Sequence, residues 1–293
     1  LDGATFFEFY VPRRRQNSNI AVQPFFSRRV GLDSSGLPQK IDFGTKLTGQ
    51  LGQQDVGFLH VRTGNDTDLA GEEFTVLRVK RRVLAQSYVG MFYSRRASRT
   101  TTPNPEQTAG LDFRLATSTF RGSNNLEFNG FFLWNTDTTK TTAGENLAYG
   151  VRLDYPNDRW EARMAFTEVQ PDHGPAIGFT RRTGFRAYQP RFRFAPRPNQ
   201  HPWLRQMAVG FDADLRTDMN NEFLTRRLDF TLLRLELHTQ DNIEISLVPT
   251  YERLENDFEI TKGVLLPAQT AYDFVRFRVV TNTATRRVLA SKA

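Results

Sequence analysis

Polar and apolar residues alternate along many segments of this chain, which is the pattern of a β-strand whose two faces meet different surroundings. The alternation is clearest in the segments 110–117 (GLDFRLAT), 148–155 (AYGVRLDY), 159–168 (RWEARMAFTE) and 208–217 (AVGFDADLRT). About a dozen such segments occur, each about ten residues long, which is the length of a tilted strand that crosses a bilayer. We therefore expect an all-β protein with no helix longer than a turn or two.

Turn-forming residues separate these segments. Gly, Pro, Asn and Asp collect in the connections, which are tight in 121–125 (RGSNN) and long and polar in 135–146 (NTDTTKTTAGEN). Outer-membrane barrels have short turns at one end and longer loops at the other. The stretch 169–186 breaks the alternation with two prolines and three glycines, and we predict a long loop there that folds inward.

Two fold classes share this alternation. A soluble β-sandwich or propeller buries its apolar face, whereas a transmembrane barrel turns that face to lipid. The aromatic residues near the ends of the predicted strands are Trp134, Tyr155, Trp160, Tyr251 and Tyr272. Aromatic girdles at the membrane interfaces have such positions. With the even strand length and the charged second face, they favour an antiparallel transmembrane β-barrel of the outer-membrane type.

The composition agrees with a barrel and excludes several kinds of chemistry. The chain contains 25 phenylalanines although only 39% of its residues are hydrophobic, and a membrane barrel uses aromatics in this way because half of each strand faces a wet lumen. It contains no cysteine, which excludes disulfides and thiolate chemistry. No apolar stretch has the length of a transmembrane helix.

The charge distribution argues against nucleic acid as a partner. The net charge is +7, from 39 basic and 32 acidic residues. The basic residues lie in short runs near strand ends, and no compact basic helix collects them. The chain opens LDGATFF, without the basic and apolar regions of a signal peptide, and we interpret the sequence as an internal or trimmed segment.

Charged residues on the second face of the predicted strands are the main functional candidates, because they would project into one lumen. These lumen-facing residues are Asp112, Arg114, Arg152, Asp154, Glu161, Arg163, Asp212, Asp214, Arg216, Arg276 and Arg278. Mixed rings of charge create a field across a pore and select the solutes that pass. Packed together, the same groups would instead form ion-pair ladders that fill and rigidify the barrel. The sequence leaves both alternatives open.

Catalytic and metal-binding signals are weak. The four histidines lie far apart and lack metal-ligand spacing, so we expect no metal and no cofactor, and we interpret His173 as a solvated loop residue. Asp212 and Asp214 stand two residues apart on one face of a strand, about 7 Å apart at Cα, and glycosidases use carboxylate pairs at comparable separations. Pairing with Arg216 or with an arginine of a neighbouring strand is the simpler interpretation of these two carboxylates.

Several segments resemble a bacterial outer-membrane family of uncharacterised function. Its full-length members carry an N-terminal, family-9-like carbohydrate-binding domain followed by a β-barrel. The similar segments follow the family's order and are FFSRRVG (25–31), QDVGFLHVRTG (54–64), FTVLRVKRRVLAQSYVGMFYSRR (74–96), the stretch 153–198 and FEITKGVLLPAQTAYDFVRFRVVTN (258–282). The resemblance covers the chain from about residue 5 onward, and it concerns the barrel part only.

The resemblance implies a barrel in the outer membrane of a Gram-negative bacterium. The carbohydrate-binding domain is absent from this sequence, and the family's barrel continues beyond RRVLASKA (286–293), so the chain is expected to lack the last strands and to be an incomplete barrel. Residues 1–39 would form a lead-in and plug-like region, and residues 40–293 the barrel strands. Arg28 and Arg29 would mark a rim or plug contact.

We predict an outer-membrane channel or transporter-like, porin-like barrel. Its expected partners are outer-membrane lipid and a carbohydrate or small solute, with carbohydrate binding or uptake served by the domain that is absent here. The first alternative is a membrane-embedded hydrolase with its site in the lumen or in the 169–186 loop. The second is a structural barrel that docks partner proteins.

Overall fold

The computed structural model describes residues 4–10, 22–32, 36–65, 70–100, 105–136 and 145–284. Within these ranges the chain forms β-strands and two short 3₁₀ turns, Ala4–Phe7 and Ser27–Arg29, and no α-helix. The prediction of an all-β protein built from antiparallel strands is confirmed. None of the described residues belongs to a helix long and apolar enough to cross a membrane.

Eighteen strands occur in the described part of the chain, and twelve of them are ten to fifteen residues long. The first nine are β1 (Val22–Gln23), β2 (Ile41–Leu51), β3 (Gln54–Thr63), β4 (Glu72–Leu84), β5 (Ser87–Ser98), β6 (Glu106–Phe120), β7 (Asn124–Thr136), β8 (Leu147–Pro156) and β9 (Trp160–Val169). The others are β10 (Phe179–Thr180), β11 (Phe185–Tyr188), β12 (Arg191–Phe194), β13 (Leu204–Thr217), β14 (Phe223–Leu237), β15 (Asn242–Arg253), β16 (Phe258–Thr261), β17 (Val264–Leu266) and β18 (Ala271–Asn282).

Fourteen strands belong to one sheet, in which most strands pair with their neighbours in the sequence. The order is β2-β3-β4-β5-β6-β7-β8-β9-β11-β13-β14-β15-β18, and β12 also lies between β9 and β13. The strands β11 and β12 form one interrupted position at Pro190, a residue that has no backbone N–H to donate. Two small antiparallel pairs, β1 with β10 and β16 with β17, lie outside this sheet.

The connections alternate between short and long from β2 to β9. Two residues join β2 to β3 and β4 to β5, and three residues join β6 to β7 and β8 to β9. The connections that follow β3, β5, β7 and β9 are longer. This alternation agrees with the layout predicted from the turn-forming residues.

The chain divides into two compact units by its internal contacts. Unit 1 comprises Leu1–Thr117, Glu127–Val151 and Thr167–Phe185, and unit 2 comprises Ser118–Leu126, Arg152–Phe166 and Arg186–Ala293. The division predicted from the sequence, at residues 39 and 40, stays a prediction.

The sheet has two different faces in each unit. We call one the apolar face, because it carries large apolar side chains that remain exposed. In unit 1 these include Phe43, Leu47, Val89, Met91, Leu111, Phe128, Phe132 and Trp134. In unit 2 they include Leu153, Trp160, Met164, Phe192, Val209, Val275, Phe277 and Val279. The opposite side, the mixed face, carries most of the charged side chains.

Candidate functional site

The mixed face carries every lumen-facing residue named from the sequence. Asp112 and Arg114 lie on β6 in unit 1, and the other nine lie on four strands of unit 2. These are Arg152 and Asp154 on β8, Glu161 and Arg163 on β9, Asp212, Asp214 and Arg216 on β13, and Arg276 and Arg278 on β18. The two units differ in what surrounds these charges.

In unit 1 the centre of the mixed face is a fully buried ion pair. Arg78 on β4 and Asp112 on β6 both have side chains that are 0% exposed, with 2.7 Å between Nη1 and Oδ1. Arg78 Nη2 donates to Asp112 Oδ2 over 2.9 Å, and the hydroxyl of Tyr88 on β5 donates to the same oxygen over 3.1 Å. The desolvation cost of a buried ion pair is offset only when the other donors and acceptors of the two groups also have hydrogen-bond partners.

Room for this pair comes from Gly90 on β5, the Cα partner of Asp112. A Cβ at Gly90 would clash with both the guanidinium of Arg78 and the carboxylate of Asp112. Glycine therefore allows two bulky charged groups to cross the strand that lies between them.

The N-terminal segment 4–10 covers this ion pair. Arg78 Nε donates to the carbonyl oxygen of Glu8 over 3.2 Å, and the backbone N–H of Tyr10 donates to Asp112 Oδ2 over 3.0 Å. Between these two contacts the ring of Phe9 lies 5.3 Å from the Arg78 guanidinium carbon. The segment thus binds the ion pair through its main chain and through one aromatic ring.

Loop 170–178 also packs on the mixed face of unit 1. The backbone N–H of Ala176 donates to Thr108 Oγ1 on β6 over 2.9 Å, and that of Gly174 donates to Asn135 Oδ1 on β7 over 3.3 Å. Ile177 is fully buried. Of the stretch 169–186 predicted as one long loop, residues 170–178 form a loop, whereas the remainder includes the end of β9, β10 and the start of β11. That the stretch folds inward stays a prediction.

His173 corrects one expectation from the sequence, because it is a buried residue and not a solvated one. It is 3% exposed, and its Nδ1 lies 3.1 Å from the carbonyl oxygen of Asn146. A carbonyl only accepts, so Nδ1 carries the proton in this contact. Burial lowers the pKa of His173 below the ordinary histidine value, and the hydrogen bond to Asn146 opposes the shift. The imidazole is therefore neutral at pH 7.

The two arginines predicted at a rim or plug contact lie in the 3₁₀ turn Ser27–Arg29 of unit 1. Both are exposed. Arg29 Nη1 donates to the carbonyl oxygen of Gly178, at the end of loop 170–178. Arg29 therefore joins the N-terminal region to that loop, and Arg28 points to solvent.

A second ion pair of unit 1 lies beside the buried one. Arg114 Nη2 and Glu127 Oε2 are 3.0 Å apart, and both side chains are mostly buried. Asn129 Nδ2 donates to the other carboxylate oxygen of Glu127 over 2.9 Å. Arg114, a predicted lumen residue, thus has its charge neutralised within the unit.

In unit 2 the mixed face carries a network of ion pairs, which are mostly buried around Asp154 and Glu161 and partly exposed at Asp212. Asp154 Oδ1 accepts from Arg152 Nη2 over 2.9 Å and from Arg163 Nε over 3.0 Å. Glu161 lies between two arginines of β12, at 3.5 Å from Arg191 Nε and 4.0 Å from Arg193 Nη1. On this part of the face, two carboxylates thus form ion pairs with four guanidinium groups.

One row across four strands of unit 2 separates charge by sign. The strand register places the Cα atoms of Arg163, Arg191, Asp212 and Asp229 successively opposite one another. Cross-strand partners point to the same side of a sheet. Two arginines therefore adjoin two aspartates, and the contact between the pairs is 3.4 Å, from Arg191 Nη1 to Asp212 Oδ2.

The paired carboxylates Asp212 and Asp214 each have a basic partner. Asp214 binds Arg216 through both oxygens, at 3.1 and 3.0 Å, and also accepts from Gln189 Nε2 over 3.3 Å. Asp212 contacts Arg191. The arrangement matches the ion-paired interpretation of these residues that was derived from the sequence.

The network continues over β14, β15 and β18 of unit 2. Arg278 Nη2 lies 3.4 Å from Asp229 Oδ2 and 3.7 Å from Glu244 Oε1, and its Nε donates to Ser246 Oγ over 3.1 Å. Arg276, the Cα partner of Val248, lies with its guanidinium carbon 5.5 Å from the centre of the Phe274 ring. The side chains of Arg276 and Arg278 are exposed to water, whereas Ser246 and Val248 beneath them are buried.

Sequence reasoning missed Arg78, Tyr88 and Arg191 as members of the site. Arg78 and Tyr88 lie within alternating segments, and their position on the face of Asp112 is a signal that could have identified them. Among the described residues no group of three or more His, Cys, Asp or Glu side chains could hold a metal ion. Comparison of the chain with protein-family models, with curated proteins and with solved structures gives no match.

Proposed function

We propose that this chain forms the wall of an outer-membrane β-barrel and that small solutes pass along its mixed face. The observation that carries the proposal is the placement of side chains on the long strands. Large apolar residues remain uncovered on one face while arginines and carboxylates are paired on the other. A water-soluble sheet would bury the first set and expose the second, whereas a membrane barrel needs this arrangement.

Two further features support a membrane location. Twelve strands have ten or more residues, enough for a tilted strand to cross the hydrocarbon layer. Trp134, Tyr155, Trp160, Tyr251 and Tyr272 all lie within two residues of a strand end. Lipid is the proposed partner of the apolar face, and tyrosine and tryptophan near strand ends suit the two interfaces of a bilayer.

The proposed solutes are small and polar. In unit 2 the mixed face offers partly exposed groups of both signs, such as Arg191 and Asp212. Along one row of the sheet, two arginines lie next to two aspartates, in the order Arg163, Arg191, Asp212 and Asp229. Charges of opposite sign on a pore wall create a transverse field and orient a solute that has its own dipole. Membership of the carbohydrate-associated outer-membrane family belongs to this proposal, with a sugar as one candidate solute.

The test is reconstitution of the purified full-length protein in planar bilayers. We expect discrete current steps. Asp212→Asn should shift the reversal potential toward anion preference, and Arg276→Gln should shift it in the opposite direction. Asp158→Asn is the matched control, because Asp158 is paired with Arg197 in the turn region of unit 2 and lies outside the strands. Correctly inserted protein that carries no current would contradict the channel proposal.

A further inference from the structure

We propose that the Arg78–Asp112 pair is a latch that holds segment 4–10 against the mixed face of unit 1 as a releasable plug. The role of the segment as a plug rests on the proposed function, whereas the latch consists of contacts within unit 1. It gives the N-terminal segment a regulatory role, because its release would uncover one part of the polar wall.

Aromatic side chains bind the segment to the mixed face of unit 1. Phe7 and Phe9 are both buried. The ring of Phe9 meets Phe92 on β5 and Phe131 on β7 edge-on, with 5.8 and 6.3 Å between ring centres. Edge-to-face contacts at these distances are favourable.

The ring of Phe7 is seated on the backbone of β3. A Cβ at Gly57 would come within 3.1 Å of Phe7 Cε1. Glycine at this position therefore lets the ring approach the strand. The two anchors, Phe7 and Phe9, fill positions on the mixed face that would otherwise open to water.

Two polar contacts join the main chain of the segment to the ion pair. The carbonyl oxygen of Glu8 accepts from Arg78 and the N–H of Tyr10 donates to Asp112. Glu8 and Tyr10 are the neighbours of Phe9 in the chain. The ion pair therefore binds the main chain on both sides of Phe9. Hydrogen bonds to charged groups are stronger than neutral ones.

The ion pair and its hydrogen bond from Tyr88 join strands of the sheet, and they do not depend on the segment. Arg78 and Asp112 bind each other at 2.7 and 2.9 Å, and Tyr88 binds Asp112. Segment 4–10 contains a 3₁₀ turn, Ala4–Phe7, and no strand. Its departure therefore breaks no ladder of the sheet, and water can replace the main-chain contacts that Glu8 and Tyr10 make with the ion pair.

The experiment measures hydrogen exchange of the peptide that contains residues 4–10, in the full-length protein folded in detergent or lipid. We expect Arg78→Gln to accelerate exchange in this peptide by at least about tenfold, because local opening governs exchange. Arg96→Gln is the matched control. Arg96 on β5 is also ion-paired, with Glu72 on β4, and lies beside an aromatic ring, Phe74, but its contacts do not involve the segment.

A second pair of variants leaves the strands unchanged. Phe9→Ala should release the segment, whereas Phe6→Ala in the same segment should not, because Phe6 is only half-buried. Exchange that rises in Arg78→Gln and Phe9→Ala alone supports the latch. Exchange like that of the wild type in both variants, or an equal rise in Arg96→Gln, overturns it.

Bilayer recordings separate the latch from the channel. A larger conductance in Phe9→Ala than in Phe6→Ala supports both proposals. If every variant is silent while exchange accelerates in Arg78→Gln and Phe9→Ala alone, the latch stands and the channel proposal fails.

Discussion

Both units are built from strands with alternating polar and apolar residues, but the charged side chains of their mixed faces are covered to different extents. In unit 1 the central ion pair, Arg78 with Asp112, is fully buried beneath segment 4–10, and loop 170–178 covers further residues of that face. In unit 2 the series of arginines and carboxylates is longer, and its pairs at Asp212 and Arg278 stay partly exposed while those around Asp154 and Glu161 are mostly buried. A strand pattern thus specifies which side chains share a face, while the covering segments decide whether their charges form a core or line a surface.

The same chemical group therefore has a different energetic role in each unit. A buried charge that loses its partner cannot be hydrated, which makes the pair in unit 1 hard to break. Half-exposed pairs gain little because water screens them. A single substitution at the buried pair of unit 1 is expected to be costly, whereas the partly exposed pairs of Asp212 and Arg278 in unit 2 should tolerate one with a change in electrostatics.

The largest expected effect tests that contrast directly. Arg78→Ala should lower the free energy of unfolding by about 3–5 kcal/mol, because it leaves Asp112 buried without a counter-charge. Arg278→Ala in unit 2 should change it by less than about 1 kcal/mol. Urea unfolding of the protein folded in detergent, followed by tryptophan fluorescence, measures both. Equal effects would show that the two mixed faces do not differ in burial.

A somewhat smaller effect is expected on the apolar face of each unit. Leu111 in unit 1 and Met164 in unit 2 are 59% and 60% exposed. Lysine at either position should cost about 2–4 kcal/mol if the face meets the centre of a bilayer. Ile260, which is 59% exposed in the β16–β17 pair outside the main sheet, is the control for lysine substitution. Insertion into liposomes is the measurement, and three unaffected variants would argue for a face in water.

A smaller effect is expected at the glycine beneath the buried pair. Gly90→Ala should cost about 1–3 kcal/mol, since the added methyl group overpacks a fully buried cluster. Gly49 on β2, where an added Cβ meets no atom within 4 Å, provides the control. The midpoint of urea unfolding should fall for Gly90→Ala alone. A fall of the same size for Gly49→Ala would show that the cost does not come from overpacking of the buried cluster.

The smallest effect is a pH dependence from His173. Its pKa is lowered in the folded state, so the unfolded chain takes up a proton first as the pH falls. The stabilisation is complete above the ordinary histidine pKa of about 6.5 and is lost as the pH falls toward the folded-state pKa. The slope is at most about 1.4 kcal/mol per pH unit.

His173→Gln should therefore remove part of the difference in urea midpoint between about pH 8 and about pH 5. His238→Gln is the matched control, because His238 is exposed in unit 2. An unchanged pH dependence in His173→Gln would mean that other groups carry it.

The strands were predictable because alternation is a local property. The segment around Asp112 and the one around Asp212 each show their two faces within about eight residues, and both lie in strands as expected. The positions of aromatic residues at strand ends were predictable for the same reason. Whether the sheet closes into a barrel depends on relations between distant strands, and it stays a prediction.

The partners of the charged residues were not predictable, because they depend on the register between strands. Nothing in the segment around Arg78 indicates that Asp112, two strands away, will be its partner. The prediction that His173 is solvated was wrong for a related reason, because its polar and Pro-rich sequence neighbours are typical of an exposed loop. Its burial follows from contacts of its loop with β6 and β7, which lie far from it in the sequence.

The pairing order of the sheet also bears on the sequence of events during folding. Most strands pair with the next strand in the chain, so the sheet can grow hairpin by hairpin with short loops to close. Segment 4–10 differs, because its contacts with Arg78 and Asp112 span 70 and 102 residues. The first described residues of the chain can therefore dock only after β6 has joined β5. Segment 4–10 is therefore expected to be among the last parts of unit 1 to reach its native position.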